Sequence, residues 1–158
     1  MQNQLYSRII TTPIGNMIAT ADDGAITSFD FVKDGEVFQM INVSSPLLLR
    51  LEEEIFEYFA GERKEFTLPL SPSGTEFQKG VWKTLLDIPY GETISYATEA
   101  KKFGNPKAIR AVANANGKNP ISILIPCHRV IASDGGMGGY SGGLDKKKFL
   151  LSLESETL

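Results

Sequence analysis

The hydrophobic period of this sequence changes once, at the stretch LPLSPSG of residues 68–74, and that change sets what the chain can fold into. A run rich in Pro, Ser and Gly continues neither a helix nor a strand, so it separates parts that bury different faces. Before it, QLYSRIIT, GNMIATA and AITSFDFV read as strands. Pro13-Ile14-Gly15 and Asp22-Asp23-Gly24 punctuate them as hairpin turns. A helix follows. Ser45 suits its N-cap, Pro46 its first position, and Leu47, Leu51, Ile55 and Phe59 recur at helical spacing until Gly61. Glu52, Glu53, Glu54 and Glu57 lie mainly on its other faces and read as solvated.

After the break the pattern is mostly helical. Thr75 and Gln78 form a capping-box pair ahead of a stripe of Phe77, Val81 and Leu85, with Trp82 beside it. Ser95 starts a short helix through Phe103, with Ala97, Ala100 and Phe103 facing inward, and Gly104 closes it. Asn105 caps the next helix, Pro106 takes its first position, and KAIRAVANAN runs to Gly117. Two short helices around a Gly-containing turn are a helix-turn-helix candidate. The apolar run ISILIP, the segment PCHRV and the glycine-rich loop DGGMGGYSGG come next. The last helix, LDKKKFLLSLESE, packs Leu144, Phe149, Leu150 and Leu153. The expected architecture is α+β in two domains, residues 1–70 and 71–158.

Charge divides at the same place. Residues 1–75 carry 5 Lys/Arg and 11 Asp/Glu, and residues 76–158 carry 11 and 8, which is net −6 against net +3. Lys101, Lys102, Lys107, Arg110, Lys118 and Arg129 fall within residues 101–130, where no acid occurs. A stretch of one sign is the footprint of a polyanion partner, and it is equally what a solvated basic face looks like. A single Cys excludes an internal disulfide. No leader and no run near the ~18 apolar residues of a membrane span is evident, so a cytoplasmic protein without a membrane partner is expected.

Cys127 and His128 are the only cysteine and histidine in the chain, and they are neighbours. Cysteine reacts as a thiolate, and His128 and Arg129 are residue types that favour one. Neighbouring side chains of an extended segment point to opposite faces, so a direct bond between the two is awkward and a bridging water or a turn is needed. A histidine base also needs a third group on its other nitrogen, and Glu154 is a candidate. One Cys and one His are too few for a zinc site. No phosphate-binding loop or dinucleotide fingerprint is present, so no metal and no cofactor is expected.

The segments GTEFQKGVWKTLLDIPYGETISY, GNPKAIRAVANANGKNP, ILIPCHRVI and GGYSGGLDKKKFLL, with Glu154 following, resemble the O6-alkylguanine-DNA alkyltransferases almost continuously over about residues 74–154. The resemblance implies a ribonuclease H-like N-terminal domain followed by a mainly helical, winged-helix-like domain with a helix-turn-helix. It implies repair by direct reversal: the alkyl group on O6 of guanine, less readily on O4 of thymine, moves irreversibly to the protein's own cysteine.

On that resemblance Cys127 is the nucleophile, His128 its base through a water, and Glu154 the group that orients the imidazole. Tyr96 donates a proton to the guanine ring. Arg110 enters the duplex in place of the flipped nucleotide, and Asn105, Lys107, Ala111 and Ala113 belong to the DNA-contacting face in the minor groove. Tyr140 and Ser141 line the pocket, the carbonyls of Cys127 and Val130 accept from the exocyclic amine, and Gly138 and Gly139 let backbone close over the ring. Asn119 braces the turn between the recognition helix and the active-site segment. The partner is double-stranded DNA containing O6-alkylguanine, bound by a monomer. The structural zinc of some members is not expected, because the lone Cys and His are already used. The competing readings are a non-catalytic lesion-binding or winged-helix regulatory protein and, more weakly, a cysteine hydrolase.

Overall fold

The computed structural model describes residues 5–33 and 45–158; Gln4 of the first expected strand lies outside them. The chain divides into two units, Met1–Ser73 and Gly74–Leu158.

In the first unit, β1 (Tyr6–Thr12), β2 (Gly15–Ala21) and β3 (Ile26–Phe31) form an antiparallel meander in the order β1-β2-β3. Its turns close as their residue types dictate. Thr12 donates its hydroxyl to the Gly15 carbonyl at 2.6 Å, and Gly15 takes a φ of 120° that a side chain would resist. Asp22 accepts from the amides of Gly24 and Ala25, both at 2.8 Å. Helix α1 (Pro46–Phe59) packs on this sheet. Ser45 accepts from the Leu48 amide at its start, as its residue type predicts.

The buried face of α1 is Leu48, Leu51, Ile55 and Tyr58, so the expected stripe is rotated: Leu47 and Phe59 are only partly covered. The rotation also buries Glu54, which was expected in solvent. Its carboxylate accepts from the Thr67 amide at 3.2 Å and the Thr67 hydroxyl at 2.8 Å, and Arg50 and Arg63 approach it. A buried carboxylate with these partners ties down the chain returning from the helix.

In the second unit α2 (Glu76–Leu85) carries the expected capping box, with both reciprocal bonds between Thr75 and Gln78. It buries Val81, Trp82 and Leu85, while Phe77 stays exposed and stacks edge-on against Phe103. The Trp82 indole N–H donates to the Ala115 carbonyl at 2.8 Å, so the largest side chain of this core is also satisfied as a donor. Helix α3 (Tyr96–Phe103) starts on Ser95 and ends on Gly104 at φ 100°.

Helix α4 (Ile109–Gly117) starts later than expected. Asn105 accepts from the Lys107 amide, and Ala108 donates back to the Asn105 carbonyl, so residues 105–108 form a separate turn before the helix. Val81, Ala100, Val112 and Ala115 make the cluster joining α2, α3 and α4.

ISILIP is neither strand nor helix. Successive turns fold it, with Leu124 donating to Ser122 and Ile125 to Ile121, and Ile123 held at φ 72°. A 3-10 turn, Cys127–Arg129, follows. Strand β5 (Val130–Ile131) then pairs in parallel with β4 (Ile94–Ser95), in the register Ile94 to Val130 and Ser95 to Ile131. That short ladder sets the start of α3 beside the end of the Cys127 turn. The final helix is α5 (Leu144–Glu156). Its buried positions are Lys147, Leu150 and Glu154, whereas Leu144 and Phe149, expected to pack, are exposed.

Candidate active site

A pocket with about 320 Å³ of room lies in the second unit, lined by Tyr96, Ala113, Asn114, Asn116, Gly117, Cys127, Gly139, Tyr140 and Ser141. That is at the small end of the range for organic ligands, enough for one flat heterocycle. The C-terminal half of α4 forms one wall, the first residue of α3 and the Cys127 turn the floor, and the glycine-rich loop the opposite wall.

Cys127 forms no disulfide and is 7% exposed. It lies in a 3-10 turn, one of the two alternatives that the sequence leaves open for the Cys127–His128 pair. The Asn119 side-chain amide donates to its Sγ at 3.3 Å and to the Ile125 carbonyl at 2.8 Å, while Asn119 Oδ1 accepts from the Ile121 amide at 3.0 Å. Asn119 therefore braces the turns after α4 and also supplies a donor that favours a thiolate.

His128 is fully buried, and its Nε2 lies 2.7 Å from Glu154 Oε2. Burial, chiefly, pushes the imidazole below its ordinary pKa; the Glu154 bond works against this, and the charges of Arg129 and Lys147 add to it. For Glu154 burial alone would raise the carboxyl. The hydrogen bonds and charges of His128 and Arg129 outweigh it and hold the group well below the usual carboxylate range. With His128 neutral, Arg129 supplies the lasting positive charge: its Nε reaches Oε1 at 2.8 Å and its Nη2 reaches Oε2 at 3.1 Å.

The tautomer follows. An ionised carboxylate only accepts, so Nε2 carries the proton and Nδ1 carries the lone pair. Nδ1 is buried and has no hydrogen-bond partner among the described residues. A buried imidazole with an open lone pair beside a cysteine is equipped to receive a proton.

Tyr96 lines the pocket with its pKa raised, first by burial and further by the charges of Glu99 and Cys127, with the Gly139 backbone opposing. It stays protonated and available as a donor. A Cβ on Gly138, at φ 68°, would sit 2.6 Å from the Tyr96 hydroxyl, so this glycine is required for the loop to approach. A Cβ on Gly139 would meet nothing within 4 Å.

Of the residues expected from sequence, Cys127, Tyr96, Ala113, Gly139, Tyr140 and Ser141 meet in the pocket, and His128, Glu154, Asn119 and Gly138 stand directly behind its lining. Val130 is buried behind it too, and its carbonyl already accepts from Lys147 Nζ at 2.7 Å. Asn105, Lys107, Arg110 and Ala111 lie outside the pocket on the exposed side of α4 and the turn before it.

Three features escaped the sequence. Arg129, counted there with the basic stretch, is buried on Glu154 and donates Nη1 to the Ile88 carbonyl. Lys147 is fully buried, joining the carbonyls of Val130 and Gly139 at 2.7 and 3.0 Å. Asn114, Asn116 and Gly117 form the α4 wall. The available signal was their poor helix propensity in a helix interior.

Residues 76–156 match the family described as "6-O-methylguanine DNA methyltransferase, DNA binding domain", and residues 5–72 match its "ribonuclease-like domain". The chain belongs to the 6-O-methylguanine DNA methyltransferase family. A methylated-DNA–protein-cysteine methyltransferase of Methanosarcina acetivorans is 44% identical over 153 residues, 95% of this chain and 98% of that one. The constitutive enzyme of that name from Bacillus subtilis is 43% identical over 156 residues, covering 94% of each. Among solved structures, Mycobacterium tuberculosis OGT in complex with DNA superposes with a TM-score of 0.85 at 42% identity, over 96% of this chain and 94% of that chain. A structure of Mycobacterium tuberculosis O6-methylguanine methyltransferase gives 0.87 at 40%, over 98% and 95%. The α+β organisation, a sheet-based N-terminal part followed by a helical C-terminal part, is that of the family.

Proposed function

We propose that this chain repairs duplex DNA by moving the alkyl group from O6 of guanine to Sγ of Cys127. The reading is carried by one arrangement: a thiol in a pocket sized for one base, with a buried His128–Glu154 pair behind it and the Tyr96 hydroxyl on its wall. The activity is the one named for the relatives in Methanosarcina acetivorans and Bacillus subtilis.

His128 Nδ1 takes the Cys127 proton through a bridging water. The thiolate attacks the alkyl carbon, an S–C bond forms and the C–O bond breaks. The electron pair passes into the purine, and Tyr96 donates the proton that neutralises it. Asn119 stabilises the thiolate before attack, and Glu154 acts as a positioning residue through the imidazole. The product thioether has no leaving group, and no second thiol exists to regenerate it, so each molecule reacts once. O4 of thymine, which presents an equivalent alkyl–oxygen bond, is the slower substrate.

An alkylated O6 lies inside the duplex, so the nucleotide must leave the stack, at a cost of a few kcal/mol. Arg110, exposed on α4, fills the space, with Asn105, Lys107, Ala111 and Ala113 on the face that meets the minor groove. The exposed Lys101, Lys102 and Lys118 add phosphate-directed charge without base reading. The residues before and after LPLSPSG act as separate domains, the protein works as a monomer, and its place is the cytoplasm; no helix among the described residues is long and apolar enough to cross a membrane.

The test is intact-mass analysis after mixing with a duplex containing O6-methylguanine. One added methyl on the peptide holding Cys127, never more than one per chain, is expected. Binding without mass gain would leave a lesion-binding protein instead, and repeated turnover would refute the single-use mechanism.

A further inference from the structure

One buried pair has no part in the transfer just described. Glu99 on α3 is fully buried, and Asn116 on α4 is 7% exposed. Asn116 Nδ2 donates to Glu99 Oε1 at 2.7 Å. The other two oxygens, Glu99 Oε2 and Asn116 Oδ1, are buried with no partner among the described residues. Two orphaned acceptors in one contact pair are costly if the carboxyl is ionised. One proton changes the account. A carboxylic acid and a primary amide are complementary edge to edge: the amide N–H bonds one acid oxygen, and the acid O–H bonds the amide oxygen. The first of those bonds is in place, and the two atoms the second would use are the two left open.

We propose, resting on the alkyl-transfer reading above, that Glu99 is held as a neutral carboxylic acid paired with Asn116, and that this pair positions the pocket wall for alkyl transfer. Asn116 lines the pocket with Tyr96 and Cys127, and Glu99 follows Tyr96 by three residues on α3. The pair therefore ties the helix that starts with the proton donor to the helix that faces DNA.

Among the described residues its surroundings supply no countercharge. On α3, Tyr96 is the titratable neighbour, and Lys101 and Lys102 are exposed. From α4 only the Asn116 amide reaches Glu99, and Arg110 is exposed. The charged residues of α2, Glu76, Lys79 and Lys83, are exposed, and β4 and β5 carry no titratable residue. Burial, opposed by the Asn116 bond, pushes the Glu99 carboxyl up to about 7. Ionisation would leave a bare charge at the joint between the helices and make Tyr96 a weaker acid, since the Glu99 charge raises its pKa. Transfer should slow as Glu99 loses its proton.

Glu99→Gln separates the effect from other titrations, because a glutamine makes the same two-bond contact with Asn116 at every pH. Carboxyl carbon NMR of 13C-glutamate-labelled full-length protein should show one carboxyl still protonated at pH 6 and absent from E99Q. The ratio of wild-type to E99Q single-turnover rates on an O6-methylguanine duplex should be near one at pH 6 and fall about tenfold by pH 8.5. Should E99Q not fold, hydrogen-exchange protection of the α4 amides in wild-type protein should drop in step with that carboxyl. No protonated carboxyl at pH 6, a flat rate ratio, or α4 protection independent of the titration each overturns the proposal. A chain that methylates at no pH overturns the alkyl-transfer reading instead, and the carboxyl signal is read independently of it.

Discussion

Replacing Glu154 by glutamine tests the arrangement behind Cys127 where it is most constrained. The two carboxylate oxygens receive His128 Nε2 at 2.7 Å, Arg129 Nε at 2.8 Å and Arg129 Nη2 at 3.1 Å. A carboxamide has the same volume and only one acceptor oxygen. If that oxygen faces Arg129 Nε, the new NH2 faces His128 Nε2. Two donors would then meet unless the imidazole moves its proton from Nε2 to Nδ1. The shift relieves the clash at His128, leaves the new NH2 facing the Arg129 Nη2 donor, and removes the lone pair that is to receive the Cys127 proton.

The variant should therefore lose single-turnover transfer by about 10²- to 10⁴-fold, the usual contribution of a positioned base. Binding of the lesion duplex should be kept, since neither residue is exposed. Stability should fall as well. Arg129, buried, would lose its countercharge, which costs about 3 kcal/mol at the lower end of the range for broken buried pairs. For a chain of this length that is a drop of about 6–12 °C in Tm. Rapid-quench intact mass reads the first effect and calorimetry the second. Transfer within about threefold of wild type at pH 7 would show that the carboxylate does not fix the tautomer. A Tm unchanged within about 2 °C would show that Arg129 does not depend on it.

Other substitutions follow from the same geometry. Tyr96→Phe should slow transfer about 10²-fold or more while duplex affinity by anisotropy stays constant; an unchanged rate would remove Tyr96 as the donor. Gly138→Ala should displace the Tyr96 ring, because its Cβ would stand 2.6 Å from the hydroxyl, whereas Gly139→Ala should fold normally; equal Tm and rate for the two would contradict the close approach. Lys147→Met should release the Val130 and Gly139 carbonyls and lower Tm by several degrees, read by calorimetry. Glu99 has its folded pKa raised from 4.5 to about 7. Its protonated form therefore stabilises the fold fully below about pH 4.5, and that contribution, about 3 kcal/mol, is lost as pH rises toward 7. The Tm of wild type minus that of E99Q should accordingly fall between pH 4.5 and 7.5 and level off above; a difference independent of pH would mean that Glu99 is ionised throughout.

What the sequence makes legible is whatever neighbouring residues decide between themselves. The Ser45, Thr75–Gln78 and Ser95 caps each rest on a side chain three positions from the backbone it serves, the Gly104 stop rests on that residue's own left-handed φ, and all are formed. Phase and burial depend on distant partners and were harder to read. Leu47, Leu48 and Leu49 leave the face of α1 undecided, and its rotation is settled by the sheet and by Thr67, whose amide and hydroxyl draw Glu54 inward. Asn105-Pro106 carries a helix-start pattern, yet the Asn105 side chain is spent on a turn and α4 begins at Ile109. ISILIP has the apolar density of a strand, but beyond a single β-bridge at Ile121 its backbone bonds close locally as turns under full burial.

The same division runs through the site, and it explains why the strongest polar interactions were the least visible. Cys127 and His128 drew attention because each is the only one of its kind. Arg129 and Lys147 did not, because bases in a basic stretch, or in a run of three lysines, read as surface. The buried positions of α5 are Lys147, Leu150 and Glu154, so the helix docks through two charges and one leucine, and an apolar stripe could not reveal its orientation. Those two charges divide the work: Glu154 fixes the turn holding Cys127 through His128 and Arg129, and Lys147 fixes the loop that carries Gly139. One helix thus sets both the floor and the far wall of the pocket. A buried charge held by hydrogen bonds tolerates little displacement before its energy is lost, so the Glu154 and Lys147 contacts confine both walls to one geometry.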